Sequence, residues 1–143
     1  MEMVGKIGSS MAISGSALDA ILMHARDAAP LECCGLLLGS PFRISCARRA
    51  RNLEVDPSRF LIDPADHFEA IRVAHRSDQA VIGFYHSHPR SSAEPSESDV
   101  AEATDAGSIY VIASLTQNPP EVRGFRLEGG RFLEIPLYAE AEG

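Results

Sequence analysis

The chain has little with which to attract a phosphate backbone: 13 lysines and arginines stand against 20 aspartates and glutamates, a formal net charge of −7 over 143 residues. A basic footprint is what supplies non-specific affinity for nucleic acid or an anionic membrane surface, so neither is an expected partner. Nor does any stretch approach the ~20 consecutive apolar residues of a membrane-spanning helix. The opening "MEMVGKIGSS" is polar and glycine-rich, without the apolar segment of a signal peptide, and the expected location is the cytoplasm. Three cysteines, two of them the neighbours Cys33 and Cys34, are too few for a disulfide framework, and adjacent residues bridge only with strain. They read as reduced thiols. Repeats and linkers are absent as well. A chain of this length fits one domain, expected over residues 13–143 behind a mobile N-terminal segment, 1–12, and 45% hydrophobic residues suffice for its core.

Local patterns sketch the elements. Ser16 is expected to cap a helix to about Ala28, with Leu18, Ile21, Leu22 and Ala25 on one face before Pro30 ends it. "CCGLLLG" reads as a buried strand and "FRISCARRARNL" as one or two more, with Arg43, Arg48, Arg49 and Arg51 on a solvated face. Asp63 and Pro64 open a second helix reaching about Arg76, with Phe68, Ile71 and Ala74 as its apolar side. "AVIGFY" is a buried strand that runs directly into His86. Ser96 caps a short helix carrying Asp99, Val100 and Ala103, with Gly107 near its end. "SIYVIASL" is another strand, and "EVRGFRLEGGRFLEIPL" a hairpin turning at Gly129-Gly130. Leu127-Glu128-Gly129-Gly130 invites comparison with a ubiquitin-like tail, but it is internal and the hairpin turn accounts for it. Strands mixed with about three helices, some strands consecutive, predict an α/β (mixed α+β) domain built on a mixed sheet.

Chemistry concentrates in "HSHPRSSAEPSESD", residues 86–99. Strand side chains alternate faces, so if extended structure persists through His88, both imidazoles of His86 and His88 point the same way. Asp99, in the first turn of the next helix, can fold back across the intervening loop as a third ligand. Two nitrogens and one oxygen leave a fourth tetrahedral position for water, the arrangement of a catalytic rather than a structural zinc site. Such a centre can acidify water and polarise a carbonyl, which suits amide hydrolysis, and it needs a carboxylate to carry the proton. Glu32, Glu94 and Glu97 are candidates, and spacing alone does not choose among them. His24, His67 and His75 lack ligand-like spacing.

Taken together, His86, His88, Pro89, Ser96 and Asp99 form His-x-His-Pro, six residues, Ser-x-x-Asp, which resembles the metal motif of the JAMM metallopeptidases, or MPN domains. The upstream "LECCGLLLG" is similar to that family's segment in which a glutamate precedes a small-residue, apolar strand, and the resemblance spans roughly residues 13–136. It implies a single MPN-type domain with a curved mixed sheet. It further implies that His86, His88 and Asp99 bind one Zn2+, that Glu32 is the general base and acid, and that Ser96 donates a hydrogen bond to the developing oxyanion. Cys33 and Cys34 flank the implied base, yet they begin a buried apolar run and are expected to pack the core.

Members of this family cut isopeptide or peptide bonds after the C-terminal glycine of ubiquitin-fold proteins. A short, stand-alone chain looks like the prokaryotic branch, some members of which are associated with ubiquitin-fold sulfur carriers ending in Gly-Gly. The implied activity is therefore trimming of such a tail, which could bind as an added strand. Two alternatives stand beside it: a non-catalytic MPN scaffold, and a metallohydrolase of another small peptide or amide. Retention of all three ligands, Glu32 and Ser96 separates the enzyme readings from the scaffold. The sequence leaves oligomerisation open.

Overall fold

The computed structural model describes residues 10–103 and 107–140. In chain order these form β1 (Met11–Ile13), α1 (Gly15–Ala28), β2 (Cys34–Ser40), β3 (Arg43–Ala50), α2 (Pro64–Arg76), β4 (Ala80–His88), α3 (Glu97–Glu102), β5 (Ile109–Ser114), β6 (Glu121–Glu128), β7 (Arg131–Ile135) and β8 (Leu137–Ala139). Among the described residues this is a mixed α+β fold of three helices on an eight-stranded sheet, ordered β7-β6-β5-β4-β2-β3-β1-β8. Pairings β4–β5, β1–β3 and β1–β8 are parallel and the others antiparallel. β7 and β8 stand at opposite ends of that order, yet only Pro136 separates them. Consecutive Cα atoms are about 3.8 Å apart, so the sheet must curl until its two edges meet at that proline. The Met11 amide reinforces the seam by donating to the Pro136 carbonyl at 3.0 Å.

The curled sheet has two differently used faces. On one, Ala17, Ile21 and Ala25 of α1 pack with Met11, Ile13, Leu37, Ile44, Tyr85, Val111 and Ile135, drawn from strands across the whole sheet. On the other, Ala70 and Ala74 of α2 pack with Cys34, Leu36, Leu38 and Ala50 over β2 and β3. A third cluster, Tyr110, Ile112, Phe125 and Leu127 with Ala93, continues that second face across β5 and β6. Period-two alternation sends Cys33 to the α1 side and Cys34 to the α2 side, both as buried free thiols. No helix among the described residues is long and apolar enough to cross a membrane.

Several sequence expectations shift. The cap of α1 is Ser14, whose Oγ accepts from the Ala17 amide at 3.1 Å; Ser16 lies inside the first turn. Met11 and Ala12, assigned above to a mobile segment, form β1 with Met11 buried, while residues 1–9 of that segment lie outside the described residues. The expected apolar side of α2 is displaced: Phe68 and Ile71 are 64% and 48% exposed, and the packed face is Ala70 and Ala74. Small side chains let the helix backbone approach the sheet closely, and that contact decides its rotation. Asp63 does cap α2, accepting from the Ala65 amide at 2.9 Å. Arg43 and Arg49 form exposed ion pairs with Glu140 and Asp27, as a solvated face requires. The β6–β7 hairpin turns at Gly129 and Gly130, with φ of 58° and 73°, the two left-handed positions of a type I′ turn.

Candidate metal centre

β4 remains extended through His88, so His86 and His88 project together from the α2 face while Tyr85 and Ser87 point to the α1 face. Antiparallel register sets Cys34 of β2 opposite His86. Carried two residues further, the same register puts Glu32 opposite His88, which is how a carboxylate more than fifty residues away in sequence reaches the pair. Asp99 comes from the other side, at N3 of α3. There Ser96 and Asp99 complete a capping box: Ser96 Oγ accepts from the Asp99 amide at 3.0 Å, and Asp99 Oδ2 accepts from the Ser96 amide at 2.9 Å. Aspartate fills the position that glutamate or glutamine usually holds in this box, and its shorter side chain leaves the same oxygen facing the histidines.

The three ligand atoms form a tight triangle. Asp99 Oδ2 lies 3.0 Å from Nε2 of both His86 and His88, and the two nitrogens are 3.2 Å apart. Zn–N and Zn–O bonds of about 2.0 Å in a tetrahedron require ligand–ligand edges of about 3.3 Å, so the triangle is close to one face of a zinc tetrahedron. Glu32 joins the same cluster, in which one ligand atom from each of the four residues lies within 4.8 Å of the others. All four side chains are buried, at 6%, 1%, 2% and 8% exposure for Glu32, His86, His88 and Asp99.

Hydrogen bonding alone serves this arrangement badly. His88 Nδ1 lies 2.7 Å from the Ser92 carbonyl, which can only accept, so that nitrogen carries a proton and the neutral ring presents a lone pair at Nε2. If both Nε2 atoms carried protons towards Asp99, two N–H groups would confront each other at 3.2 Å and His88 would be a cation. Glu32 Oε1 and His86 Nδ1 are, besides, buried without a partner among the described residues. A divalent cation held by the three lone pairs resolves the crowding, and the donor set of two nitrogens and one or two oxygens suits zinc.

The electrostatics divide the carboxylates. Burial opposes ionisation of Asp99, but the two histidines and the Ser96 amide outweigh it and hold the carboxyl well below the usual range. Burial pushes Glu32 the other way, up to about 7, the His88 ring partly opposing and the charges of Asp99 and Asp56 adding to the rise. Burial lowers His86 despite Asp99. In His88 burial acts downwards, but its bonds to Asp99 and to the Ser92 carbonyl raise it overall. A carboxyl poised near neutrality beside an ionised one is the pattern expected of a proton carrier next to a ligand. Of the three glutamates that spacing left open, Glu94 and Glu97 are exposed and only Glu32 belongs to the cluster.

The loop between the histidines and α3 is anchored rather than loose. Ser114 Oγ donates to the Ser91 carbonyl at 2.7 Å, Ala93 is buried, and Arg123 reaches Glu94 at 3.5 Å while pairing with Glu134. A cleft of about 380 Å³ opens beside His86 and Asp99, walled by Phe60, Leu61, Phe84, Tyr110 and Phe132. Phe60 stacks on the His86 ring at 4.4 Å, and Asn52 Nδ2 donates to the Glu32 carbonyl at 3.1 Å. Sequence reading singled out neither residue: Asn52 falls at the end of the run read as strand, beyond the last residue of β3, and Phe60 lies in an irregular segment. Of the three histidines set aside, His24 is buried against the Tyr85 hydroxyl at 2.7 Å, His75 is exposed, and His67 lies edge-on to Phe84 at the cleft rim.

Residues 14–128 match the family described as prokaryotic homologs of the JAB domain. The chain is 34% identical over 113 residues to a desampylase of Haloferax volcanii, covering 74% of this chain and 81% of that protein. It is 30% identical over 131 residues to a CysO-cysteine peptidase of Mycobacterium tuberculosis, covering 89% of each. Among solved structures, a Desulfitobacterium hafniense protein superposes with a TM-score of 0.85 at 28% identity, over 92% of this chain and 94% of that one. A JAB1/MPN domain protein from Archaeoglobus fulgidus does so with a TM-score of 0.59 at 25% identity, over 90% and 99%.

Proposed function

The chain belongs to the family of prokaryotic JAB-domain proteins, and from that premise we propose that it is a zinc-dependent hydrolase cutting the peptide or isopeptide bond after the C-terminal glycine of a ubiquitin-fold, sulfur-carrier-like protein. The observation that carries the reading is the convergence of His86, His88 and Asp99 on one point, with Glu32 buried beside them. The names of the related desampylase and CysO-cysteine peptidase support the substrate class.

In this reading His86 Nε2, His88 Nε2 and Asp99 Oδ2 hold the ion. When bound, zinc supplies Lewis acidity that polarises the scissile carbonyl and acidifies a water. Glu32 accepts the proton of the attacking water and delivers it to the leaving amine, a two-way task for which a carboxyl near neutrality is suited. Ser96 Oγ accepts from the Asp99 amide and lies 3.1 Å from Ser98 Oγ; with Ser98 as the donor in that contact, the Ser96 proton is left to meet the oxyanion growing on the substrate carbonyl.

Residues 59–62 offer the tail a place to lie. The Leu53 amide donates to the Leu61 carbonyl at 2.8 Å and the Asp63 amide to the Arg51 carbonyl at 3.0 Å, around the antiparallel bridge of Asn52 with Ile62. Backbone groups of an extended segment alternate sides, so those of Phe60 and Ile62 turn the other way, and both residues line the cleft. An extended tail would add there as a strand, presenting its last peptide to the cluster.

The test is a mass-spectrometric assay of zinc-loaded protein against a panel of ubiquitin-fold proteins extended beyond Gly-Gly. Chelator-sensitive cleavage after the second glycine, with one zinc per chain, is expected. Binding of a carrier whose extension stays uncut would favour a scaffold instead.

A further inference from the structure

The last rung of the β2–β4 ladder is built differently from those before it. Beyond the Cys34–His86 pair, Cys33 comes opposite Ser87, and the Ser87 amide donates to the Cys33 carbonyl at 3.2 Å as an antiparallel rung requires. The return bond should run from the Cys33 amide to the Ser87 carbonyl. It goes instead to Ser87 Oγ, at 2.8 Å. The carbonyl on the other end of that same peptide unit, Glu32 C=O, accepts from Asn52 Nδ2 at 3.1 Å. The Glu32–Cys33 peptide is therefore gripped at both polar ends by side chains from two separate parts of the chain. Since that plane sets the backbone dihedral of Glu32, it sets the direction in which the carboxyl leaves the backbone.

Ser87 is fully buried and lies between the two histidines, yet its side chain is on the opposite face of β4 and takes no part in the cluster. We propose that Ser87 is a positioning residue: through the Cys33 amide it fixes the carboxyl of Glu32 against the metal-binding triangle. One strand then aligns both partners of the reaction, the ligands with residues 86 and 88 and the proton carrier with residue 87. The importance of that alignment for turnover rests on the function proposed above; the alignment itself does not. Asn52 is the less clean target, because it also bonds the Arg59 carbonyl and the Glu54 and Leu61 amides.

The experiment compares wild type with Ser87→Ala, both with Co2+ in the metal site, by paramagnetic NMR and amide exchange. The expected result is at least about tenfold faster exchange of the Cys33 amide and displaced paramagnetic shifts for Glu32, with the shifts of His86, His88 and Asp99 unchanged. In the zinc-loaded protein kcat is expected to fall about 10- to 100-fold with KM nearly constant, the scale on which small misplacements of reacting groups are felt. Ser87→Thr should recover kcat, and Ser87→Ala added to Glu32→Gln should cost nothing further. Should Ser87→Ala fail to fold, Ser87→Cys keeps the volume with a weak acceptor and takes its place. Unmoved Glu32 shifts, or histidine shifts that move along with them, would overturn the proposal. If wild type cuts no carrier, the function proposed above falls, while the Glu32 shifts still decide the role of Ser87.

Discussion

Replacing Glu32 by glutamine should move stability and activity in opposite directions. In metal-free protein the buried carboxyl titrates near 7 rather than near the ordinary 4.5, chiefly because burial penalises its charged form. The folded state therefore holds a proton between those values that the unfolded chain has released. Stability from this group is complete below pH 4.5, declines as pH rises and is lost above about 7. At roughly 1.4 kcal/mol per tenfold, the ionised carboxylate costs the metal-free fold about 3 kcal/mol at pH 8. Glutamine keeps the shape without the charge. Chelator-treated Glu32→Gln protein should thus unfold on the order of 10 °C higher than wild type at pH 8 and near the same temperature at pH 4.5. The zinc-loaded variant should keep its metal while turnover falls by about 10²–10⁴, the usual worth of a positioned general base. Thermal unfolding of both proteins at the two pH values, beside the cleavage assay, reads all of this. Equal melting temperatures at pH 8 would refute the burial argument, and retained turnover would remove Glu32 from the chemistry.

Three further outcomes are expected. Ser96→Ala should cost about 1 kcal/mol in urea unfolding through loss of the cap, and about 10²-fold in turnover through loss of the hydroxyl donor. If turnover falls only as far as zinc occupancy does, capping is the whole role of Ser96. Gly83→Ala should destabilise by more than about 3 kcal/mol, because there is no room for a methyl group where β4 pairs with β5. A Cβ there would sit 1.9 Å from the Ile109 carbonyl oxygen, so a near-normal urea midpoint would contradict the close approach of these strands. His24, held down to about 4 by burial and then by Arg49, with Asp27 opposing, must be neutral in the fold. Its folded value is depressed, so the unfolded chain binds the proton first and stability falls from about pH 6.5 towards 4, by up to roughly 3 kcal/mol. His24→Gln should flatten that part of the stability profile.

Much of the fold was legible because its signals are local. Asp63-Pro64 marks the start of α2, Gly129-Gly130 a hairpin turn, and the apolar run at 80–85 a strand. What escaped is what only tertiary contact decides. β1 and β8, three residues each, are too short to display an alternation; β1 exists through its pairing with β3 and β8, and β8 through its pairing with β1. On α2 the large residues Phe68 and Ile71 outweigh the alanines in any hydrophobic count, yet close packing selects Ala70 and Ala74.

The site divides along the same line. That His86 and His88 share a face follows from strand periodicity alone, and the return of Asp99 is consistent with a capped helix after a loop. Glu32 was identifiable only through resemblance, because its place depends on the β2–β4 register, a long-range quantity with no local trace. Strand alternation also explains why "HSHP" carries its candidate ligands at alternate positions only. On β4 the even-numbered residues Phe84, His86 and His88 face the cleft and the triangle. The odd-numbered Tyr85 and Ser87 face α1 and hold, respectively, the buried His24 and the peptide that follows Glu32. A one-residue slip of β4 would exchange these sets, so stability and the geometry of the candidate metal centre are specified by the same pairing. The packing and hydrogen bonds of Tyr85 and Ser87 on the α1 side are what keep His86 and His88 turned towards Asp99 and Glu32.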